Sequence, residues 1–322
     1  MKAVYIQKTG GPEALIYGDQ PKPEPPAGHA LVKLAATGVN FIDTYHRSGL
    51  YKLPLPAILG SEGAGTVESI GEGVTSVKPG DRVAWGTARG AYAEYQAVPE
   101  SALVPIPDGV SFREAAAVML QGMTAHYLTH STFPLKSGDT MLVHAAAGGT
   151  GRLIVQMAKM LGARVIATAG TPEKGKIARE AGADDVILYR DQDFLEETKR
   201  LTGGRGVDVV YDSVGATTFL KGLDCLRPRG MMVQFGNASG PAPAIEPLAL
   251  SQRGSLFLTR PTLAHYVATR QELEWRAADL FRWLSEKKLV LKIDRVYPLR
   301  EAARAQQDLE SRNTSGKLVL EP

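Results

Sequence analysis

The sequence contains a single cysteine, Cys225, among its 322 residues. One cysteine cannot form an intrachain disulfide, so stability must come from a packed core, and a cytoplasmic location is the default expectation. The sequence also lacks any run of about 18 apolar residues, which argues against a helical membrane span. No apolar secretory segment follows Met1.

The sequence also lacks an excess of either positive or negative charge. There are 37 Lys and Arg residues against 34 Asp and Glu residues, so the net charge is only +3, with both signs spread along the chain. This balance favours no nucleic-acid partner. The histidines His126, His130 and His144 lack metal-binding spacing with cysteines or acids, so we expect surface or hydrogen-bonded core positions. We expect Cys225 to be a buried, inert thiol.

The clearest positive pattern lies at residues 138–170. Met141–Ala145 predicts a buried parallel strand, apolar residues at helical spacing follow, and Arg164–Thr168 predicts a second strand. The turn between the first strand and the helix reads Ala146-x-Gly148-x-x-Gly151, a dinucleotide-binding pattern with alanine for the first glycine. Such a turn, with the helix amides behind it, suits a pyrophosphate; an ordinary tight turn is the alternative.

Strands and helices alternate over residues 123–264, which predicts a doubly wound parallel sheet. Short strands separated by turns over residues 1–122 predict a β-barrel or sandwich, with a helix at Ser111–Met119. Residues 265–322 lose the alternation, and we expect them to return to the first domain. The predicted fold class is therefore α/β, with the Rossmann-type domain inserted into a β-rich one.

Several segments resemble the medium-chain dehydrogenase/reductase superfamily, and within it the quinone oxidoreductases related to zeta-crystallin. The resemblance spans essentially the whole chain. Its most specific residues are Gly138, Asp139, Leu142, Ala146, Ala147, Gly148, Gly149, Gly151, Gln156 and Lys159. Thr150 departs from the family, whose members usually carry valine there. The resemblance implies a GroES-like domain, a Rossmann domain, a homodimer and NADPH as cofactor.

Zinc-dependent relatives in this superfamily carry a cysteine and a Gly-His-Glu segment. This sequence has the region of Asn40 in place of the cysteine and Gly60-Ser61-Glu62 in place of the other segment. Serine is a poor zinc ligand, so we predict no catalytic zinc.

The choice of NADPH rests on the end of the second strand of the βαβ unit. Enzymes that use NAD place an acid there for the ribose hydroxyls, whereas this strand ends Ala167-Thr168-Ala169-Gly170. A cation at Lys174 suits a 2′-phosphate, although a solvated helix lysine is the alternative. By resemblance, Tyr189 and Arg312 join Lys174 around that phosphate.

The resemblance also implies the remaining site residues. Asn40 and Asp43 would lie near the nicotinamide, and Tyr45 and Tyr51, in what we predict to be the same loop, beside the substrate. Capping by Asn40 and Asp43, and core packing of the tyrosines, are the alternatives. The predicted catalytic residues are Asn40, Tyr45 and Tyr51. The predicted cofactor-binding residues are Asn40, Asp43, Thr124, Gly148, Gly149, Thr150, Gly151, Gly170, Lys174, Tyr189, Ser213, Phe235, Gly236, Arg260 and Arg312.

The function implied is NADPH-dependent reduction of a small-molecule quinone without a metal. Two alternatives remain open at this point. One is an NADPH-dependent reductase of enone or alkenal double bonds. The other is a non-catalytic NADPH-binding protein of crystallin-like or RNA-binding type.

Overall fold

The computed structural model describes residues 1–322, and the chain forms two compact units. Unit 1 comprises Met1–Met123 and Tyr266–Pro322, and unit 2 comprises Thr124–His265. Both predicted domain boundaries, 122/123 and 264/265, lie one residue before the boundaries between these units. No helix is both long and apolar enough to cross a membrane.

The strands and helices have the following bounds. The strands are β1 Lys2–Ile6, β2 Ile16–Asp19, β3 His29–Val39, β4 Ala57–Ile58, β5 Gly63–Ile70, β6 Arg82–Trp85, β7 Tyr95–Pro99, β8 Val104–Pro105, β9 Thr140–Val143, β10 Arg164–Ala169, β11 Asp185–Leu188, β12 Val207–Asp212, β13 Leu226–Gln234, β14 Phe257–Thr259, β15 Ile293–Pro298 and β16 Lys317–Glu321. The helices are α1 Phe41–Ser48, α2 Phe112–Tyr127, α3 Gly149–Met160, α4 Pro172–Glu180, α5 Phe194–Leu201, α6 Phe219–Asp224, α7 Leu248–Gln252, α8 Leu263–Tyr266, α9 Arg270–Ser285 and α10 Ala302–Glu310.

Unit 2 contains one parallel sheet of six strands in the order β11-β10-β9-β12-β13-β14. The chain begins in the middle, at β9, winds outward to β11, and then returns to build the other half. This is the doubly wound order, so the predicted fold class is confirmed. Buried side chains such as Leu142, Ile166 and Val210 pack with Phe194 and Phe219 from helices to form its core.

Unit 1 is organised around the long strand β3. One edge of β3 pairs with β5, and the other pairs first with β7 and then, at Thr37–Val39, with β16. The final segment of the chain therefore returns to the first sheet, as the sequence predicts. This return places Lys317, the first residue of β16, beside the end of β3.

Two helices differ from the prediction. The loop expected after Asn40 is wrong, because α1 forms there and ends at Gly49 in a left-handed conformation (φ 84°). The carboxylate of Asp43 accepts the N–H of Asn40 at 2.9 Å, which stabilises the first turn. Helix α2 continues to Tyr127, beyond the predicted end at Met119.

Candidate active site

The turn after β9 depends on a glycine that leaves no room for a side chain. β9 ends at Val143 and α3 begins at Gly149. A Cβ atom on Gly151 would lie 2.4 Å from the carbonyl oxygen of Ala145, a backbone atom with little freedom to move. Glycine therefore lets the first turn of α3 pack directly against the chain that leaves the strand.

The amino terminus of α3 has no side-chain cap. Its N-cap residue is Gly148, which carries no side-chain acceptor for the first-turn amides of Gly149, Thr150 and Gly151. These N–H groups and the helix dipole suit an anionic ligand. The turn thus fits the pyrophosphate of a dinucleotide, where the sequence motif predicts it.

Three further predicted residues lie at the ends of β10 and β11, which pair in parallel. A Cβ on Gly170 would lie 2.7 Å from the Tyr189 hydroxyl oxygen, so the phenol packs over this glycine. Lys174 lies in the first turn of α4, and its N–H donates to Oγ1 of the N-cap residue Thr171 at 3.3 Å. One cation and one phenol therefore follow neighbouring strands.

Other predicted residues follow the next strands of the same sheet. Phe235, after β13, donates its N–H to the carbonyl of Asp212 at 2.8 Å. A Cβ on Gly236 would lie 2.5 Å from the carbonyl oxygen of Ser213, so these two strand ends pack closely. Arg260 follows β14. All of these positions lie at the carboxyl ends of parallel strands, where α/β sheets bind ligands.

Two predicted cofactor residues lie elsewhere. Thr124 is a half-buried residue of α2. Arg312 belongs to unit 1, where it follows α10 with a left-handed φ of 59° and an exposed side chain.

A buried polar cluster in unit 1 surrounds the start of α1. The Asp43 carboxylate is fully buried and accepts hydrogen bonds from Ser61 Oγ at 2.9 Å and from the Tyr92 hydroxyl at 3.1 Å. Loss of solvation on burial raises the pKa of Asp43 to about 6. Because its carboxylate is enclosed by protein donors, Asp43 is placed to hold Asn40 rather than to contact a ligand.

The Asn40 amide is held from both ends. Its Oδ1 accepts from Lys317 Nζ at 2.8 Å and from Gln121 Nε2 at 3.2 Å, while its Nδ2 donates to Glu62 Oε1 at 2.7 Å. Lys317 also forms an ion pair with Glu62, and both side chains are almost completely buried. The N–H of Leu120 donates to the other Glu62 oxygen at 2.6 Å. The pair is therefore well supplied with hydrogen-bond partners, as a buried ion pair requires.

Sequence reasoning missed three members of this cluster, Lys317, Gln121 and Tyr92. A lysine at the first position of a strand is normally exposed to solvent. The residues around Lys317 in the sequence therefore do not indicate that it is buried. Glu62 offered the better clue. It stands between small residues in Gly60–Gly65, and a carboxylate in such a buried segment requires a cationic partner.

The tyrosines of α1 and the following loop form an aromatic group. The rings of Tyr45 and Tyr51 meet edge to face, with centroids 5.2 Å apart, and Phe41 and His46 flank them. Tyr45 is 8% exposed, so most of its ring is packed while part of the side chain reaches the surface. Their placement beside a substrate stays a prediction.

The donor set of unit 1 does not fit a zinc ion. Ser61 Oγ is a hydroxyl that donates to Asp43, and the Asn40 amide is already bound to protein groups. No three His, Cys, Asp or Glu side chains are grouped so as to hold a metal.

Cys225 is buried, as predicted, and burial raises the pKa of its thiol to about 12. His144 is a buried core histidine, as predicted: its Nδ1 forms a hydrogen bond with Thr168 Oγ1 at 3.0 Å, while its Nε2 has no hydrogen-bond partner.

Comparisons with known proteins match this architecture. Residues 26–108 match the alcohol dehydrogenase GroES-like domain, and residues 149–283 match the domain described as zinc-binding dehydrogenase. A quinone oxidoreductase of Pseudomonas aeruginosa is 47% identical over 100% of this chain and 99% of its own length. This chain belongs to the quinone oxidoreductase family. The resemblance to medium-chain dehydrogenases/reductases is thus confirmed.

Two other similar proteins bear on function. The crystal structure of Escherichia coli quinone oxidoreductase complexed with NADPH has a TM-score of 0.98 and 43% identity, covering 100% of both chains. A 2-haloacrylate reductase from a Burkholderia species is 43% identical over 99% of this chain and 98% of its own length.

Proposed function

We propose that this chain is an NADPH-dependent quinone oxidoreductase that works without a catalytic metal. The observation that carries the proposal is the full-length likeness to quinone oxidoreductases, one of which was determined with NADPH bound. The uncapped amino terminus of α3 and the glycine turn before it support a dinucleotide in unit 2.

Within this proposal, Gly148–Gly151 bind the pyrophosphate. Lys174 and Tyr189 bind the 2′-phosphate, and Arg260 contacts a further phosphate oxygen. The role of Arg312 stays a prediction from the family resemblance. Gly170, over which the Tyr189 phenol packs, lies beside the ribose. Thr124, Ser213, Phe235 and Gly236 complete the cofactor contacts.

The residues of unit 1 position the reacting groups. Bound NADPH supplies the reducing equivalents. Asn40, which Asp43 holds at the start of α1, contacts the nicotinamide, and Tyr45 and Tyr51 border the acceptor. A quinone is already electron-poor, and water can protonate its reduced oxygens. Positioning and exclusion of water are therefore what the side chains contribute.

The direct test is NADPH oxidation by the purified protein with a panel of quinones and a panel of alkenals. Turnover with quinones that exceeds turnover with alkenals supports the proposal. Tight NADPH binding without turnover of either panel would instead identify a non-catalytic NADPH-binding protein.

A second candidate is the reduction of activated carbon–carbon double bonds, which the likeness to a 2-haloacrylate reductase favours. This reaction needs a placed proton donor, and the Tyr45 hydroxyl is the candidate.

Under the quinone mechanism, Tyr45→Phe should retain most activity with 1,4-benzoquinone. Any decrease should be far smaller than the roughly 10²–10⁴-fold loss that is typical of a missing general acid. Asn40→Ala should be more harmful. The reverse order of effects would favour double-bond reduction.

A homodimer and a cytoplasmic location complete the proposal. The edge strand β14 supports the dimer, because Phe257 on this strand is 58% exposed and no strand of the chain covers its outer edge.

A further inference from the structure

The direction of the Asn40 amide is fixed by a buried charge. An ammonium group can only donate hydrogen bonds, so the Asn40 atom that faces Lys317 Nζ at 2.8 Å must be the carbonyl oxygen. A carboxylate can only accept, so the atom 2.7 Å from Glu62 must be the amide nitrogen. Rotating the amide by half a turn would place oxygen against oxygen and nitrogen against nitrogen.

This orientation leaves one polar group of the amide weakly used. Oδ1 accepts two hydrogen bonds, from Lys317 and from Gln121. Nδ2 gives one hydrogen to Glu62, and its only other partner is the carbonyl oxygen of Gly38, at 3.5 Å, the limit for a hydrogen bond. The second Nδ2 hydrogen is thus the group that Asn40 can offer to a ligand.

We propose that Lys317 is a positioning residue, which holds Asn40 so that it presents an N–H donor to a carbonyl oxygen of the bound ligand. This inference deepens the proposed function and rests on it. Two ligands supply such an oxygen, the carboxamide of the nicotinamide and the quinone itself. Without Lys317, the amide can turn and present an acceptor, which repels either carbonyl.

The pair occupies space that a glycine provides. A Cβ on Gly38 would lie 2.0 Å from Glu62 Oε1 and 2.5 Å from Lys317 Cε. Gly38→Ala therefore displaces the pair while both charges remain in the chain. It is a second way to disturb the orientation of Asn40 if Lys317→Met does not fold.

The test compares two ligands that differ in the nicotinamide half. Dissociation constants for NADPH and for adenosine 2′,5′-bisphosphate are measured by calorimetry for the wild type, Lys317→Met, Asn40→Ala and the double variant, with KM for 1,4-benzoquinone alongside. Arg47→Met is the matched control, since Arg47 is also a buried cation of unit 1 but binds Gly10, Gln306 and Glu310.

We expect Lys317→Met to weaken NADPH, or to raise KM for the quinone, by about 2- to 12-fold, the range of one hydrogen bond. Which of the two constants changes identifies the carbonyl. Binding of the bisphosphate should not change, and Arg47→Met should alter none of the three. In the Asn40→Ala background, Lys317→Met should have no further effect. Gly38→Ala should reproduce the loss.

Equal losses for NADPH and the bisphosphate, or losses that multiply in the double variant, would assign Lys317 a structural role only and overturn the inference. A wild-type protein that binds the bisphosphate but gains nothing from the nicotinamide half would do the same. Failure of the wild type to bind either ligand would overturn the proposed function as well.

Discussion

At the scale of single residues, the proposal that Lys174 binds the 2′-phosphate predicts a preference for NADPH over NADH. It lies in the first turn of α4, after a strand that ends without an acid. A hydrogen bond to a charged group contributes about 1.5–3 kcal/mol, so Lys174→Ala should weaken NADPH roughly tenfold to a hundredfold or more. NADH, which lacks the 2′-phosphate, should bind nearly as before. Equal losses of affinity for NADPH and NADH in binding titrations would show that Lys174 does not bind the 2′-phosphate.

The buried carboxyl of Asp43 should make stability depend on pH. Its pKa of about 6 in the folded protein exceeds the ordinary value of 3.8. The unfolded chain therefore binds fewer protons than the folded one between these values, and stability falls as pH rises. Between pH 4 and pH 7, deprotonation of Asp43 should lower the free energy of unfolding by about 2 kcal/mol. In denaturant titrations, the unfolding free energy of Asp43→Asn minus that of the wild type should rise by this amount; a constant difference would contradict it.

Residues that share a site were predictable only where the backbone pattern brings them together. Gly148, Gly170 and Ser213 each follow a parallel strand, so the sheet itself places them at one edge. The contact between Asn40 and Lys317 joins residues separated by 277 positions. No periodicity relates them, because the contact depends on β16 pairing with the end of β3.

At the scale of elements, the junction between β9 and α3 gives a sharp contrast between two glycines. In Gly151→Ala the new methyl group would meet the Ala145 carbonyl, whereas in Gly222→Ala it would meet the terminal methyl of Met232 at 2.7 Å. A backbone atom cannot yield as a flexible side chain can. Gly151→Ala should therefore lower both the Tm and NADPH affinity.

The control for this prediction is Gly222→Ala in α6. It should leave NADPH binding unchanged, since Met232 can rotate and alanine favours the helix by up to about 1 kcal/mol over glycine. Calorimetric titration and thermal melts measure both effects. Normal NADPH binding by Gly151→Ala would contradict a close approach of phosphate to this turn.

The long periodic helix α3 was predictable, and the short helix α1 was not. Helix α3 shows apolar side chains on one face, and the central strand β9 contains the apolar run at residues 141–143. Helix α1 has only eight residues, and its first turn is stabilised by Asp43, a signal that also suits a loop. In α2, the predicted end at Met119 falls short of the observed end at Tyr127, and Gly122 lies inside the helix. A Cβ there would approach Leu280 Cδ2 to 2.9 Å, so this glycine serves packing between helices.

At the scale of the whole molecule, unit 1 is built from two separate segments of the chain, and the buried polar cluster around Asn40 contains residues from both. Asn40, Asp43 and Glu62 come from the first segment, and Lys317 comes from the last strand. Lys317→Met should therefore destabilise the folded protein by about 3–5 kcal/mol, because Glu62 would remain buried without its cation. Denaturant unfolding measures this, and Lys2→Met, which removes the exposed ion pair with Asp19, is the comparison that should cost little.

Association of two chains is the remaining question at this scale. Strand β14 ends the six-stranded sheet with an open edge, on which Phe257 and Leu258 are exposed. Two such edges related by a twofold axis can pair with each other, which satisfies their backbone groups and covers both aromatic rings. Sedimentation should therefore give twice the chain mass of 34.5 kDa.

The variant Phe257→Lys should shift the protein toward the monomer. The control Leu220→Lys, which places the same charge on another exposed apolar residue, in α6, should not. A dimer unaffected by Phe257→Lys would place the interface elsewhere, and a monomeric wild type would reject the dimer altogether.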